Sequence, residues 1–238
     1  MYTGIQIKPP FFEIGPKAYL YGKKALGLAQ HADIMSIKYD VSIIFTPQCV
    51  DIPLLASHTR HIHIFAQHMD AIKAGRGIGT VLPEAIKEAG AQGFLLNHSE
   101  KRVTLPEIGK VIRRGDEVGL ISMICADTPE QAVEIARFNP NIILAESPDL
   151  IGVGQREESD QQQIQRINQL VWHINPDILV LHGAGIKCGQ DIYEVVKNGA
   201  QGSGSTSGIL LADDPFAMLE EMIKAMRTAW DETHQVNS

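Results

Sequence analysis

The chain has 238 residues, 44% of them hydrophobic and 6% aromatic, with a formal net charge of -7 at pH 7. That length suits one domain, 1–238, around a single large core, and the composition is neither disordered nor membrane-like. With no apolar run of about 18 residues and no basic leader, the expected location is cytoplasmic with no membrane partner, and the acidic balance argues against nucleic acid, which needs a basic patch.

In chain order, β-rich runs at 41–45, 61–66, 93–96, 118–124, 142–145 and 178–181 alternate with helical patterns at 83–89, 105–114, 129–138, 161–174, 189–197 and 215–233. Ile164, Ile167, Leu170, Val171 and Ile174 carry the helical spacing in one of these, one apolar residue every three or four. Thr128-Pro129-Glu130 and Asp214-Pro215 place a cap residue ahead of a first-turn proline. The Gln161-Gln162-Gln163 run reads as a solvated helix face. Strands alternating with helices predict an α/β fold with a parallel sheet. Cys49, Cys125 and Cys188 are odd in number and far apart, so they read as reduced core or near-core thiols.

Parallel barrels build their sites where strands end and the following loops begin, and three strand ends run straight into polar residues. After Leu96 come Asn97, His98, Ser99, Glu100, Lys101 and Arg102; after Ala145 come Glu146 and a stretch to Gly154 bounded by Pro148 and Gly152; after Leu181 come His182, Gly183, Ala184 and Gly185. Glu146 is the sharpest signal, because a carboxylate at the end of an apolar strand is costly unless it is paired or used. The glycine-rich turn before a helix offers backbone N–H groups to an anion. A histidine at a strand end is more often structural, and a glycine turn more often only a turn. Together these ends supply an acid or base, an electrophile and an anion cradle.

A rival reading starts from His61 and His63, which share one face of a strand, with His68 and Asp70 downstream. That pattern suggests a zinc hydrolase, but both histidines fall near the start of their strand, away from the end where barrel sites gather. They read as polar residues at the bottom of the barrel, and no metal is expected.

Residues 97–102 closely resemble the catalytic-histidine motif of triosephosphate isomerases, and residues 146–154 resemble that family's catalytic glutamate with its mobile loop. Further matches are Lys17-Ala18-Tyr19, residues 65–70, Val81 to Ala85, Gly183 to Ile186, and Ser207-Gly208. They occur in the family's order over nearly the whole chain, with most similarity to its compact archaeal-type members. The resemblance implies a (β/α)8 barrel that interconverts an aldose and a ketose phosphate through an enediolate. By it, Glu146 is the base, His98 the electrophile and proton shuttle, and Lys17 a holder of negative charge. Ser99 would hold Glu146 in the open state and Glu100 would pair with Lys17. Residues 147–154 would close over the substrate, and amides near Gly152, Gly185, Ser207 and Gly208 would bind phosphate. It also implies no cofactor, a place in glycolysis and gluconeogenesis, and a homodimer or homotetramer built through residues 70–80.

Three places in the chain depart from the family pattern. Gly15 stands where asparagine is usual, Ile78 where a threonine reaches the neighbouring subunit, and the eighth strand reads Gly202-Ser203-Gly204-Ser205-Thr206 in place of bulky aliphatic residues. Smaller residues are expected to enlarge the pocket. The substrate expectation is therefore the triose phosphate pair, with a four-carbon ketose phosphate such as erythrulose phosphate as the alternative. A phosphate-binding barrel without turnover is the alternative of another class.

Overall fold

A computed structural model describes residues 1–146 and 158–234. Eight parallel strands, β1 (Phe11–Ile14), β2 (Ser42–Phe45), β3 (His63–Ala66), β4 (Gly93–Leu96), β5 (Ile121–Ala126), β6 (Ile142–Ala145), β7 (Leu179–His182) and β8 (Gly202–Gly204), close in sequence order into a barrel. Closure is made by β1 and β8, with Phe11 opposite Gly202 and Glu13 opposite Gly204. The surrounding helices are α1 (Gly22–Tyr39), α2 (Ile52–Ala56), α3 (Pro83–Glu88), α4 (Leu105–Val118), α5 (Pro129–Ala136), α6 (Glu158–Ile174), α7 (Gly189–Lys197), α8 (Ser207–Leu210) and α9 (Pro215–His234). This is a (β/α)8 barrel, and no described helix is long and apolar enough to cross a membrane.

Alternation along each strand divides the core in two. Phe12, Ile14, Ile43, Phe45, Ile124 and Ile143 face outward and pack under the helices. Phe11, Ile44, Phe65, Met123, Cys125, Ile142, Leu144 and Leu181 face inward and fill the barrel. Large and small residues interlock there: a Cβ on Gly202 would stand 2.4 Å from the Phe11 ring, and one on Gly93 would stand 2.5 Å from the Phe65 ring. Two glycines thus make room for two phenylalanines, and the described residues of the barrel floor form a packed core.

The strand run at 118–124 is corrected at its start. Val118 ends α4, and Gly119, at φ 75°, caps that helix in the left-handed conformation before the strand begins at Ile121; glycine adopts that conformation without a steric cost. Thr128 caps α5 by accepting from the Gln131 amide at 3.1 Å, and Asp214 accepts from the Phe216 and Ala217 amides at the start of α9. Gln162 and Gln163 are exposed. Cys125 is buried in the barrel, while Cys49 and Cys188 are half-buried, and all three are free thiols. Burial raises the Cys125 and Cys49 thiols above their ordinary value, which keeps them protonated and poorly nucleophilic.

Candidate active site at the C-terminal mouth of the barrel

Inward-facing positions continue the floor up to the mouth. Above Phe11 on β1 come Glu13, Gly15 and Lys17; above Ile44 comes Thr46; above Leu144 comes Glu146; above Leu181 comes Gly183. All of these line one cavity of about 570 Å³, which falls in the size range of small-molecule sites.

Lys17 stands where β1 turns into its loop, with a positive φ of 49°. Such a backbone costs of order 1–3 kcal/mol in a residue with a side chain, and it is held by two amides: Gln48 Nε2 and Gln67 Nε2 each donate to the Lys17 carbonyl at 2.9 Å. Gln67 Nε2 also donates to the Thr46 carbonyl at 2.9 Å, so β1, β2 and β3 are laced together beneath the lysine. Lys17 Nζ donates to Glu100 Oε1 at 2.7 Å, which fixes the ammonium across the cavity from β1 to the β4 loop. This hydrogen bond holds the Glu100 carboxylate below its ordinary pKa.

The turn after β4 is equally braced. Asn97, at φ 63°, donates through Nδ2 to the Cys125 carbonyl at 3.0 Å and accepts at Oδ1 from the Val103 amide. Arg102 donates to the Asn97 carbonyl and pairs with Asp127. His98 projects from this frame into the cavity. Its Nδ1 accepts from the Glu100 amide at 3.1 Å, so in the neutral ring the proton resides on Nε2, the nitrogen that faces Glu146. Burial, reinforced by the nearby Lys17 charge, lowers the His98 pKa. The ring is therefore a neutral donor at pH 7. Ser99 follows in the same turn, half-buried.

Glu146 continues β6, its amide donating to the Ala126 carbonyl at 3.0 Å. Its Oε2 lies 3.7 Å from His98 Nε2. A Cβ on Gly183 would stand 3.0 Å from Glu146 Oε1, so a side chain after β7 would crowd the carboxylate. A carboxylate and a neutral N–H donor, with an ammonium in the same cavity, can together remove a proton beside a carbonyl and stabilise the charge that develops on oxygen.

Opposite them, the turn after β7 meets the short helix after β8. Ala184 and Gly185 adopt consecutive left-handed conformations, φ 59° and 68°, and Gly185 and Ser207 line the cavity. Gly208 packs just behind: a Cβ there would stand 2.6 Å from the Ile186 carbonyl oxygen, so only glycine permits the two loops to meet. Ser205 Oγ donates to that same carbonyl at 2.9 Å. Loops after strands 7 and 8 and the start of a short extra helix are where barrels of this kind hold phosphate. Gly152, the fourth position expected to bind phosphate, and residues 147–154 as a closing loop lie outside the described residues.

The room left at Gly15, Gly202 and Gly204 is taken up by neighbouring groups. The Phe11 ring occupies the room opposite Gly202, and the β1 backbone comes so close at Gly204 that a Cβ would stand 2.4 Å from the Glu13 carbonyl oxygen. At Gly15 the occupant is the Glu13 carboxyl: a Cβ would stand 2.9 Å from its Oε1 and 3.3 Å from Thr46 Oγ1. The wall is thus rebuilt with a carboxylic acid. Glu13 Oε1 accepts from Thr46 Oγ1 at 2.6 Å, and burial, opposed by that hydrogen bond and reinforced by the Glu146 charge, raises its pKa to about 7. Glu13 lies within β1, away from the strand ends where polar residues stand out in the sequence. The available signal was a lone acid inside Phe11-Phe12-Glu13-Ile14, in step with Lys17.

His61 precedes β3, and His63, its first residue, shares a 2.6 Å hydrogen bond with Gln92 at the end of the barrel remote from the cavity. His68 pairs with Asp70 at 3.1 Å. Among the described residues no group of three His, Cys, Asp or Glu side chains is arranged to hold a metal ion. Ile78 is fully exposed on a protruding loop whose base is tied by Asp70, which accepts from the Val81 amide at 2.6 Å.

The triosephosphate isomerase family model matches residues 16–226. The triosephosphate isomerase of Methanobacterium bryantii is 38% identical over 217 residues, covering 90% of this chain and 96% of the relative. That of Methanothermus fervidus is 39% identical over 206 residues, covering 86% and 92%, and that of Sulfurisphaera tokodaii is 37% identical over 221 residues, covering 91% and 95%. With its barrel closed, its polar groups gathered at the C-terminal mouth and this likeness running nearly end to end, the chain belongs to the triosephosphate isomerase family.

Proposed function

We propose that the protein is an aldose–ketose isomerase of a small sugar phosphate, acting on glyceraldehyde 3-phosphate and dihydroxyacetone phosphate, the pair that names its relatives. The observation that carries this reading is the convergence of Glu146, His98 and Lys17 on one cavity, with Glu146 Oε2 3.7 Å from His98 Nε2. Glu146 takes the proton from the carbon beside the carbonyl. His98 donates Nε2–H to the carbonyl oxygen and passes a proton between the two oxygens. Lys17 offsets the negative charge of the enediolate, and Glu100 positions Lys17. The backbone near Gly185, Ser207 and Gly208 receives the phosphate, with Gly152 completing the set and Ser99 holding Glu146 before closure. One proton moves within one substrate, so the reaction calls for no electron carrier.

A coupled assay on the triose phosphate pair tests the proposal, with Glu146→Asp as control. Turnover by the wild type and a loss of about 10²-fold or more in the variant is the expected result. Absence of turnover, with retained binding of a phosphorylated enediolate mimic, supports the phosphate-binding barrel instead. We propose in addition that residues 70–80 dock onto a second copy, since Ile78 is wholly exposed at the tip of a loop with a fixed base.

A further inference from the structure

Glu13 has no task in the proton transfer just described, yet its carboxyl is built into the same cavity. Oε1 is held by Thr46 at 2.6 Å, and Gly15 leaves free the volume that the carboxyl fills. Below it, the close approach of Gly204 to the Glu13 backbone fixes β1 at this level of the barrel. Placing a carboxyl in a confined cavity is costly unless a partner satisfies it, and Thr46 satisfies one of its two oxygens. Its pKa of about 7 leaves the group able both to accept and to donate a hydrogen bond near neutrality, the behaviour suited to a hydroxyl partner. Lys17 in the same cavity disfavours a cationic one.

A triose phosphate presents two interconverting oxygens and a phosphate. His98, Lys17 and the loops around Gly185 and Ser207 already match these, which leaves Glu13 and Thr46 as a polar pair lining the same cavity with no assigned substrate oxygen. We propose that Glu13, braced by Thr46 and given room by Gly15, binds an additional substrate hydroxyl, so that the site accepts a sugar phosphate one hydroxylated carbon longer than a triose. This rests on the isomerase reading above and names the substrate class of the same site.

The test compares kcat/KM for erythrulose 4-phosphate and dihydroxyacetone phosphate in the wild type, Glu13→Gln and Glu13→Leu. The four-carbon to three-carbon ratio is expected to fall by about 10²-fold or more in Glu13→Leu, because a site built to bond a hydroxyl discriminates strongly, and by less in the isosteric Glu13→Gln. An unchanged ratio in both variants overturns the proposal, as does wild-type turnover of the triose alone. Calorimetric titration with phosphoglycolate and with 4-phosphoerythronate gives a readout independent of turnover. Glu13→Gln is expected to weaken the four-carbon acid at least about tenfold more than the two-carbon one. If that difference appears while no substrate is isomerised, the isomerase reading fails and the Glu13 subsite stands. If isomerisation occurs without the difference, the subsite alone fails.

Discussion

Exchanging Glu13 for glutamine should change how stability responds to pH, and the size of the change follows from the position of the carboxyl. An unfolded chain titrates glutamate near its ordinary 4.5, whereas burial in the barrel raises Glu13 to about 7. A folded pKa above the unfolded one means that the folded state holds the proton more tightly. The associated stability is complete below 4.5 and is lost as pH rises through 7. The gap is worth at most about 3 kcal/mol, and because the carboxyl opens on a water-accessible cavity the expected figure is about 2 kcal/mol. Glutamine keeps the shape and cannot ionise. Urea denaturation of both proteins at fixed concentration, at pH 5 and at pH 8, should therefore show the variant gaining about 2 kcal/mol on the wild type between the two pH values. A difference that stays constant within about 0.5 kcal/mol would refute the assignment of a burial-raised acid at this position.

Three further outcomes follow from other parts of the molecule. Burial and Lys17 depress the His98 pKa, so its NMR titration should fall below the ordinary 6.5, and the ring should be neutral with the proton on Nε2 at pH 7; a midpoint above 6.5 contradicts this. Gly202→Ala places a methyl 2.4 Å from the Phe11 ring and should cost about 1–3 kcal/mol by overpacking, read as a lowered urea midpoint with activity per folded molecule largely kept. Ile78→Asp should lower the oligomeric state seen by light scattering if the exposed loop is an interface, and an unchanged mass rejects that interface.

Much of this architecture was legible in the sequence, and the misses have physical causes. β5, β6 and β7 announce themselves through runs such as Ile142-Ile143-Leu144-Ala145, buried on both faces as parallel strands are. β8 is three small residues, Gly202-Ser203-Gly204, whose smallness answers the Phe11 ring and the β1 backbone, partners that lie some 190 positions away and leave no local pattern. The helix α1 hides for a similar reason: its buried face is largely Ala25, Ala29 and Ala32, while Ile34 and Ile37 are exposed, so apolar periodicity is weak where the helix lies close against the barrel. Within the site, the residues at strand ends were readable because a polar group after an apolar strand is chemically conspicuous. Glu13 was not, since its meaning depends on the absence of a side chain at Gly15 and on the hydroxyl of Thr46 from the next strand. A glycine that looked like added space proved to be the seat of an acid.

The most direct measurement is isomerisation in deuterium oxide followed by NMR, with dihydroxyacetone phosphate as substrate and Glu146→Gln beside the wild type. Proton transfer through Glu146 predicts that the wild type forms product carrying deuterium at the carbon that gained the proton, and that the variant loses both isomerisation and exchange by about 10²-fold or more. Isomerisation or exchange that survives undiminished in Glu146→Gln would contradict the account.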